Sequence, residues 1–468
     1  MADGEAGPTP GGAANDHGND APAITTDHPS YQPNSFNDDK YAISPRINTA
    51  PSNPFASHQH TGIELDDYFT GPRDLTKHSK WPLFLQLQGS ITPKMIVPLL
   101  SIGAWATLIT AISEKVPGVS LSIQPVLLTI TGFVISLGLS FRSSTAYERY
   151  GEGRKCWAQL TLASQALGRV FWINIKERPD SAKQDVLAKL TAMNLVVAFA
   201  VAMKHRLRFE PYTHYEDLAD LVGHIDSIAK EATEHGPIEP KKMSIFHHIG
   251  EHLGLSFATS NPRKTLKRTK KPLGNLPLEI LAYLTAFADE TCGNGQLTVP
   301  MQQTALYNGI ASLNDAMVSM ERVLNTPLPL AYAIAISQIT WLYIILLPFQ
   351  LYNNLGWITI PATVLGAYII LGLFFIGHEI ENPFGTDVND LPLDGFCQQI
   401  MEDMNTVASH GKIQPSQFIR NARNKVMYPV SQSSYFSWET QSEGAIRTAL
   451  KDRPQALFQK PQTATESV

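Results

Sequence analysis

Phe133, Leu137 and Phe141 lie in an uncharged run at spacings of i, i+4 and i+8. On a helix each sits about 40° around from the last, so the three form one stripe. The chemistry open to such a stripe is exclusion rather than catalysis. Repeated by symmetry around an axis, it becomes three stacked apolar rings, and a narrow apolar tube does not retain the water an ion needs, so it gates by dewetting. On spacing alone, ordinary helix packing is the more frequent reason for a stripe of this kind. Other reactive constellations are scarce. There is no phosphate-binding glycine loop, no Ser or Cys triad signature and no carboxylate pair inside an apolar run, which disfavours an enzyme and a proton-coupled carrier. Cys156, Cys292 and Cys397 are far apart and none has a second Cys or a His at ligand spacing, which argues against a disulfide framework or a metal site. His58 and His60, and further on His247, His248 and His252, lack acidic or Cys companions and read as solvated side chains.

Positioning the stripe calls for membrane helices. Mean hydropathy of −0.10 and 17% charged residues look nearly soluble, but a polar start and a charged middle dilute long apolar runs. Residues 1–75 are rich in Gly, Pro, Asn, Asp, Ser and Thr, too polar to offset their ordering entropy, and read as a disordered tail with no secretory signal. Trp81, Leu83, Phe84, Leu85 and Leu87 beside Lys77, Lys80 and Lys94 suit a segment lying on the membrane surface. Residues 95–113 and 121–141 carry no charge and match the hydrocarbon thickness; Gly132, Ser136, Gly138 and Ser140 in the second run favour close helix approach. Beyond Arg142, the stripe of Trp157, Leu160, Leu167 and Phe171 predicts a long cytosolic helix, and the apolar run 190–203 is too short to span and belongs inside a helical bundle.

Residues 237–273 form a basic insertion, a surface loop by default and an anionic-lipid or partner site otherwise. Helix then runs over about 276–322, and no Asp, Glu, Lys or Arg follows until Glu379, with Asn353, Asn354 and Gly356 breaking the run into spans 328–351 and 357–376. Arg73, Lys77, Lys80, Lys94, Arg142, Arg149, Arg154 and Lys155 flank the first two spans on one side, whereas the hairpin tips hold little positive charge, so both termini are cytoplasmic. The scattered basic residues and a net charge of −5 give no nucleic-acid surface.

Four stretches, SFRSSTAYERYGEGRKCWAQL, NTPLPLAYAIAISQITWLYIILLPF, GWITIPATVLGAYIILG and HEIENPFGTDVNDLPLDGFC, resemble the bestrophin family, most closely its bacterial, plant and fungal branch. The resemblance covers residues 76–410 and leaves 411–468 as a cytosolic tail that wraps neighbouring subunits or hangs free. It implies an all-α membrane protein with four transmembrane helices per subunit and a helical cytosolic region, a homopentamer around a single axial pore, and passage of chloride and other monovalent anions. The family's hydrophobic neck falls just before a Phe-Arg pair on the second membrane helix. Counting back from Phe141 and Arg142 returns Phe133, Leu137 and Phe141. A second, cytosolic constriction is implied in the helix before NTPLP, at Ile310 by the same counting, although core packing explains an Ile there equally.

Asp387 and Asp390 match acidic positions where animal members hold calcium, but Val388 and Asn389 interrupt the run, and a helix-capping turn is the alternative. No cofactor is required. Anion preference needs no fixed cation in the pore, since helix N-termini supply positive potential. The expectation is therefore an integral membrane anion channel subunit, with a non-conducting scaffold and an anion carrier as rivals, in a membrane the residues do not name.

Overall fold

The computed structural model describes residues 89–116, 123–234, 273–411, 413–428 and 430–452. The tail 1–75, the surface segment around Trp81, residues 117–122 of the first hairpin, residues 237–272 of the basic insertion and the five histidines singled out above lie outside the described residues. Every regular element among the described residues is helical.

α1 (Thr92–Lys115) starts on a proline in its first turn, where the missing N–H costs nothing. α2 (Pro125–Arg169) starts the same way and continues for 45 residues. The second apolar run and the cytosolic stripe are thus one helix of about 68 Å, about twice the hydrocarbon thickness, with no Pro to end it. It closes in a π-helical turn, Val170–Asn174. α3 (Ala182–Leu207) follows, then the short α4 (Ala219–Val222) and α5 (Ile228–Glu234). The stretch expected as one helix over 276–322 is two, α6 (Leu276–Gly293) and α7 (Pro300–Asn325). Gly295 at φ +80° and Pro300 explain the break.

α8 (Leu330–Leu355) and α9 (Thr359–Glu379) are joined through a 3-10 turn at Gly356–Ile358, where Gly356 takes φ +52°. The break falls where Asn353, Asn354 and Gly356 predict it. α10 (Leu393–Ser409) completes the main body, and α11 (Pro415–Ile419), α12 (Tyr435–Glu439) and α13 (Glu443–Asp452) form the tail.

Among the described residues, three regions are long and apolar enough by length and composition to cross a membrane: Thr92–Lys115, Ala182–Leu207 and Leu330–Glu379. The middle one, α3, is 67% buried by the chain itself over its apolar window. Its side chains Val196 to Met203 sit in a core with Trp157 and Leu167 of α2, Phe171 of the π-helical turn, Leu284 of α6, Leu313 of α7 and Ile400 of α10. Over this stretch α3 is wrapped by its own chain and leaves no continuous face for lipid, so it is the centre of a helical bundle. In the apolar part, α1 packs on α8 and α9 through Met95, Ile102, Ile344, Ala367 and Leu371. α2 approaches α8 at its small residues: a Cβ at Gly132 would stand 3.2 Å from the Tyr343 hydroxyl.

Candidate functional site

The face of α2 toward α8 is closed, with Ile135 and Leu139 buried against Ile336. Its other face is open: Phe133 is 71%, Leu137 48% and Phe141 58% exposed. The three predicted residues are therefore brought onto one uncovered stripe, and packing within the subunit does not account for it.

Arg142 follows at once and points the other way. Its side chain is 4% exposed, lies 3.6 Å from Glu381 and stands 4.7 Å over the ring of Phe374. Gly377 makes the room, since a Cβ there would already touch the Arg142 stem at 3.4 Å. Two turns on, Arg149 donates to the carbonyls of Val323 (2.8 Å), Glu381 (3.1 Å) and Thr326. These two arginines pin the C-terminal end of the stripe to the ends of α7 and α9. Burial opposes charge on Glu381, but His378, Arg142 and Arg149 outweigh it and hold the carboxyl below its usual range. Sequence reasoning saw both arginines only as topology markers; the available signal was a charge repeating one face away from the apolar stripe.

Past α9 the chain turns tightly. Asp390 is buried and its carboxylate accepts from the N–H of Asp387 at 2.8 Å. Any side chain at Gly385 would collide with that carboxylate. Asp387 faces Lys94 at 3.4 Å, Lys94 reaches Glu379 at 2.5 Å, and the Asn389 amide donates to the carbonyl of Gly89 at 3.2 Å. One carboxylate is thus turned onto backbone and the other faces an ammonium, so both side chains have protein partners within the turn. Among the described residues no group of His, Cys, Asp and Glu is placed to hold a metal. The cap serves the turn itself; α10 starts after Pro392 without a side-chain cap.

Ile310 is 8% exposed and packed in the core of the helical bundle, next to Gly309, which abuts Leu167. The apolar side chains that α7 leaves uncovered at its start are Val299 and Met301, the latter 77% exposed. A further cluster escaped sequence reasoning because its members are remote from one another in the chain. At the end of α3, Lys204 pairs with Asp217 and with Asp394 at 2.7 Å, and Arg208 reaches Asp394 at 3.0 Å. His205 sits between Glu210 at 2.6 Å and Asp217 at 2.9 Å, stacked on Tyr215. The backbone beside it is strained, with Phe209 at φ +62°.

Among the described residues the chain is helical throughout, with apolar helices packed next to a helical bundle, as in an integral membrane protein. Residues 73–406 match the bacterial/fungal bestrophin proteins, and the chain belongs to the bestrophin family. It is 31% identical over 322 residues to a voltage-dependent anion channel-forming protein of Synechocystis sp., covering 69% of this chain and 89% of that one. A protein of the same description from Nostoc sp. is 32% identical over 339 residues, 72% of this chain and 94% of that one. Among solved structures, a bacterial bestrophin homolog from Klebsiella pneumoniae carrying a tryptophan-to-alanine change superposes with a TM-score of 0.50 at 25% identity, covering 69% of this chain and all of that one.

Proposed function

We propose that this chain is one subunit of a pentameric anion channel that passes chloride and similar monovalent anions passively. The uncovered stripe of Phe133, Leu137 and Phe141, on the side of α2 away from the buried Ile135 and Leu139, is the observation that carries this reading. Four spans, α1, the first part of α2, α8 and α9, cross the bilayer as two hairpins with both termini in the cytoplasm. Five copies of α2 enclose the axis, and the three apolar rings form a neck that a halide passes only when it is wet. Two of the relatives are named as anion channel-forming proteins, which supports the same class of conducted ion. A second constriction on the cytosolic side is assigned to Val299 and Met301, ahead of Ile310, because their side chains are uncovered while that of Ile310 is packed. The turn at Asp387 and Asp390 acts in this reading as a lysine-pinned clasp between α1 and α9, with no ion required.

Purified protein in liposomes carrying a chloride-sensitive dye provides the test. The expected result is dye quenching under a chloride gradient, and faster quenching when Phe133→Ala, Leu137→Ala and Phe141→Ala are combined. Flux and selectivity unchanged by the triple substitution would remove the neck.

A further inference from the structure

The face that carries the neck stripe does not end with the apolar run. α2 is unbroken to Arg169, and at helical spacing the same face continues through Ser144, Glu148, Gly151, Lys155 and Leu162. Ser144, Glu148, Lys155 and Leu162 are exposed, and a methyl group at Gly151 would meet nothing within 4 Å. The opposite face, with Arg142, Ala146, Gly153, Trp157, Leu160 and Leu167, is buried on the rest of the subunit. One side of a single helix is thus turned away from the chain's own bulk, from the bilayer down through the cytosolic region.

Two residues on that open side are charged. Glu148 is two turns below Phe141, about 10 Å along the axis, and Lys155 is four turns below, about 21 Å. Among the described residues neither has an ion-pair partner in its own subunit, although partners are close in sequence: Glu152 is taken by Arg322, and Arg154 lies over the Phe396 ring at 4.4 Å.

We infer that Lys155 is a specificity-determining residue, concentrating anions on the cytosolic side of the neck, and that Glu148 limits it from the nearer position. This rests on α2 being the pore helix, as proposed above. Repeated around the axis, Lys155 forms a ring of solvated ammonium groups that raises the local anion concentration without binding any ion tightly, as a focused field does. The Glu148 ring stands between it and the neck, about one Debye length from each at 0.1 M salt. An anion arriving from the cytosol therefore meets attraction first and repulsion second, so current from that side depends on the balance of the two rings.

Unitary chloride currents of the full-length protein in planar bilayers, in about 10 mM and about 1 M KCl, separate the field from other effects, because the Debye length falls from about 30 Å to about 3 Å. Lys155→Gln is expected to lower roughly threefold the low-salt current carried by chloride leaving the cytosolic side, with Lys155→Arg keeping it and Glu148→Gln raising it. All four proteins converge in high salt. Equal low-salt currents for wild type and Lys155→Gln overturn the inference, as does a loss that persists undiminished in high salt. A Glu148→Gln current below wild type overturns the opposing role. If wild type passes no chloride, the channel reading fails and takes the inference with it; if the neck variant alters conduction and Lys155→Gln does not, the inference alone fails.

Discussion

Phe141 and Arg142 are neighbours in the chain, and their side chains serve opposite ends. Phe141 is left uncovered by its own subunit, while Arg142 is buried and fixes the helix that presents it. Removing one partner of a buried ion pair strands the other, which costs about 3 kcal/mol where burial is deep and less where Glu381 keeps some solvent. Arg142→Met should therefore lower the thermal unfolding midpoint in detergent, and adding Glu381→Gln should recover part of the loss because the stranded charge is gone. Additive losses in the double variant would show that the pair is not coupled. At this scale the apolar stripe was legible as one face of a helix, because a spacing of four in an uncharged run fixes which side chains share a face. Arg142 and Arg149 were not, since nothing in their local sequence says that their partners, Glu381 and the carbonyls at the end of α7, arrive from far along the chain.

Among the elements, α3 and the segment after it carry a titrating contact. Burial of His205 opposes its charge, but hydrogen bonds to Asp217 and Glu210 outweigh burial and raise its pKa. A raised value means that the protonated histidine contributes stability in full below about pH 6.5, a contribution lost as pH climbs through the folded value. Asp217 behaves in the opposite sense. Burial disfavours its charge, yet His205 and Lys204 hold its pKa down, so its contribution is lost as pH falls below the carboxylate range. Thermal unfolding followed across pH 6 to about 9 should show the wild type losing stability toward the alkaline end, with His205→Gln lower at pH 6 and flatter. Parallel curves for the two proteins would contradict the assignment.

Most elements were readable from composition, because uncharged runs near the hydrocarbon thickness and an amphipathic stripe leave few alternatives. Two were not. The fusion of the second span with the cytosolic stripe into α2 depends on the absence of a breaker after Arg142, which is a weak signal beside a change in polarity. The split between α6 and α7 was marked by Gly293, Gly295 and Pro300, and periodicity on either side masked it.

For the whole molecule, the reading requires that several copies share what one leaves uncovered. α1, α8 and α9 also expose large apolar side chains, among them Leu100, Leu342 and Leu365, and such side chains on helices of this length suit a lipid environment. The α2 face differs in running from apolar to charged along one helix, which suits a water-filled axis and not an acyl chain. Mass measurement of the purified protein in detergent should give five chains of 51.6 kDa each. A monomer at micromolar protein would leave the stripe without the copies it needs. Cysteine substitution along the upper part of α2 tests that arrangement most directly, with a water-soluble, charged thiol reagent added to conducting channels. Chloride current should be altered by modification at 133, 137 and 141 and untouched at 135 and 139; modification following the second pair, or neither, would contradict an axis lined by α2.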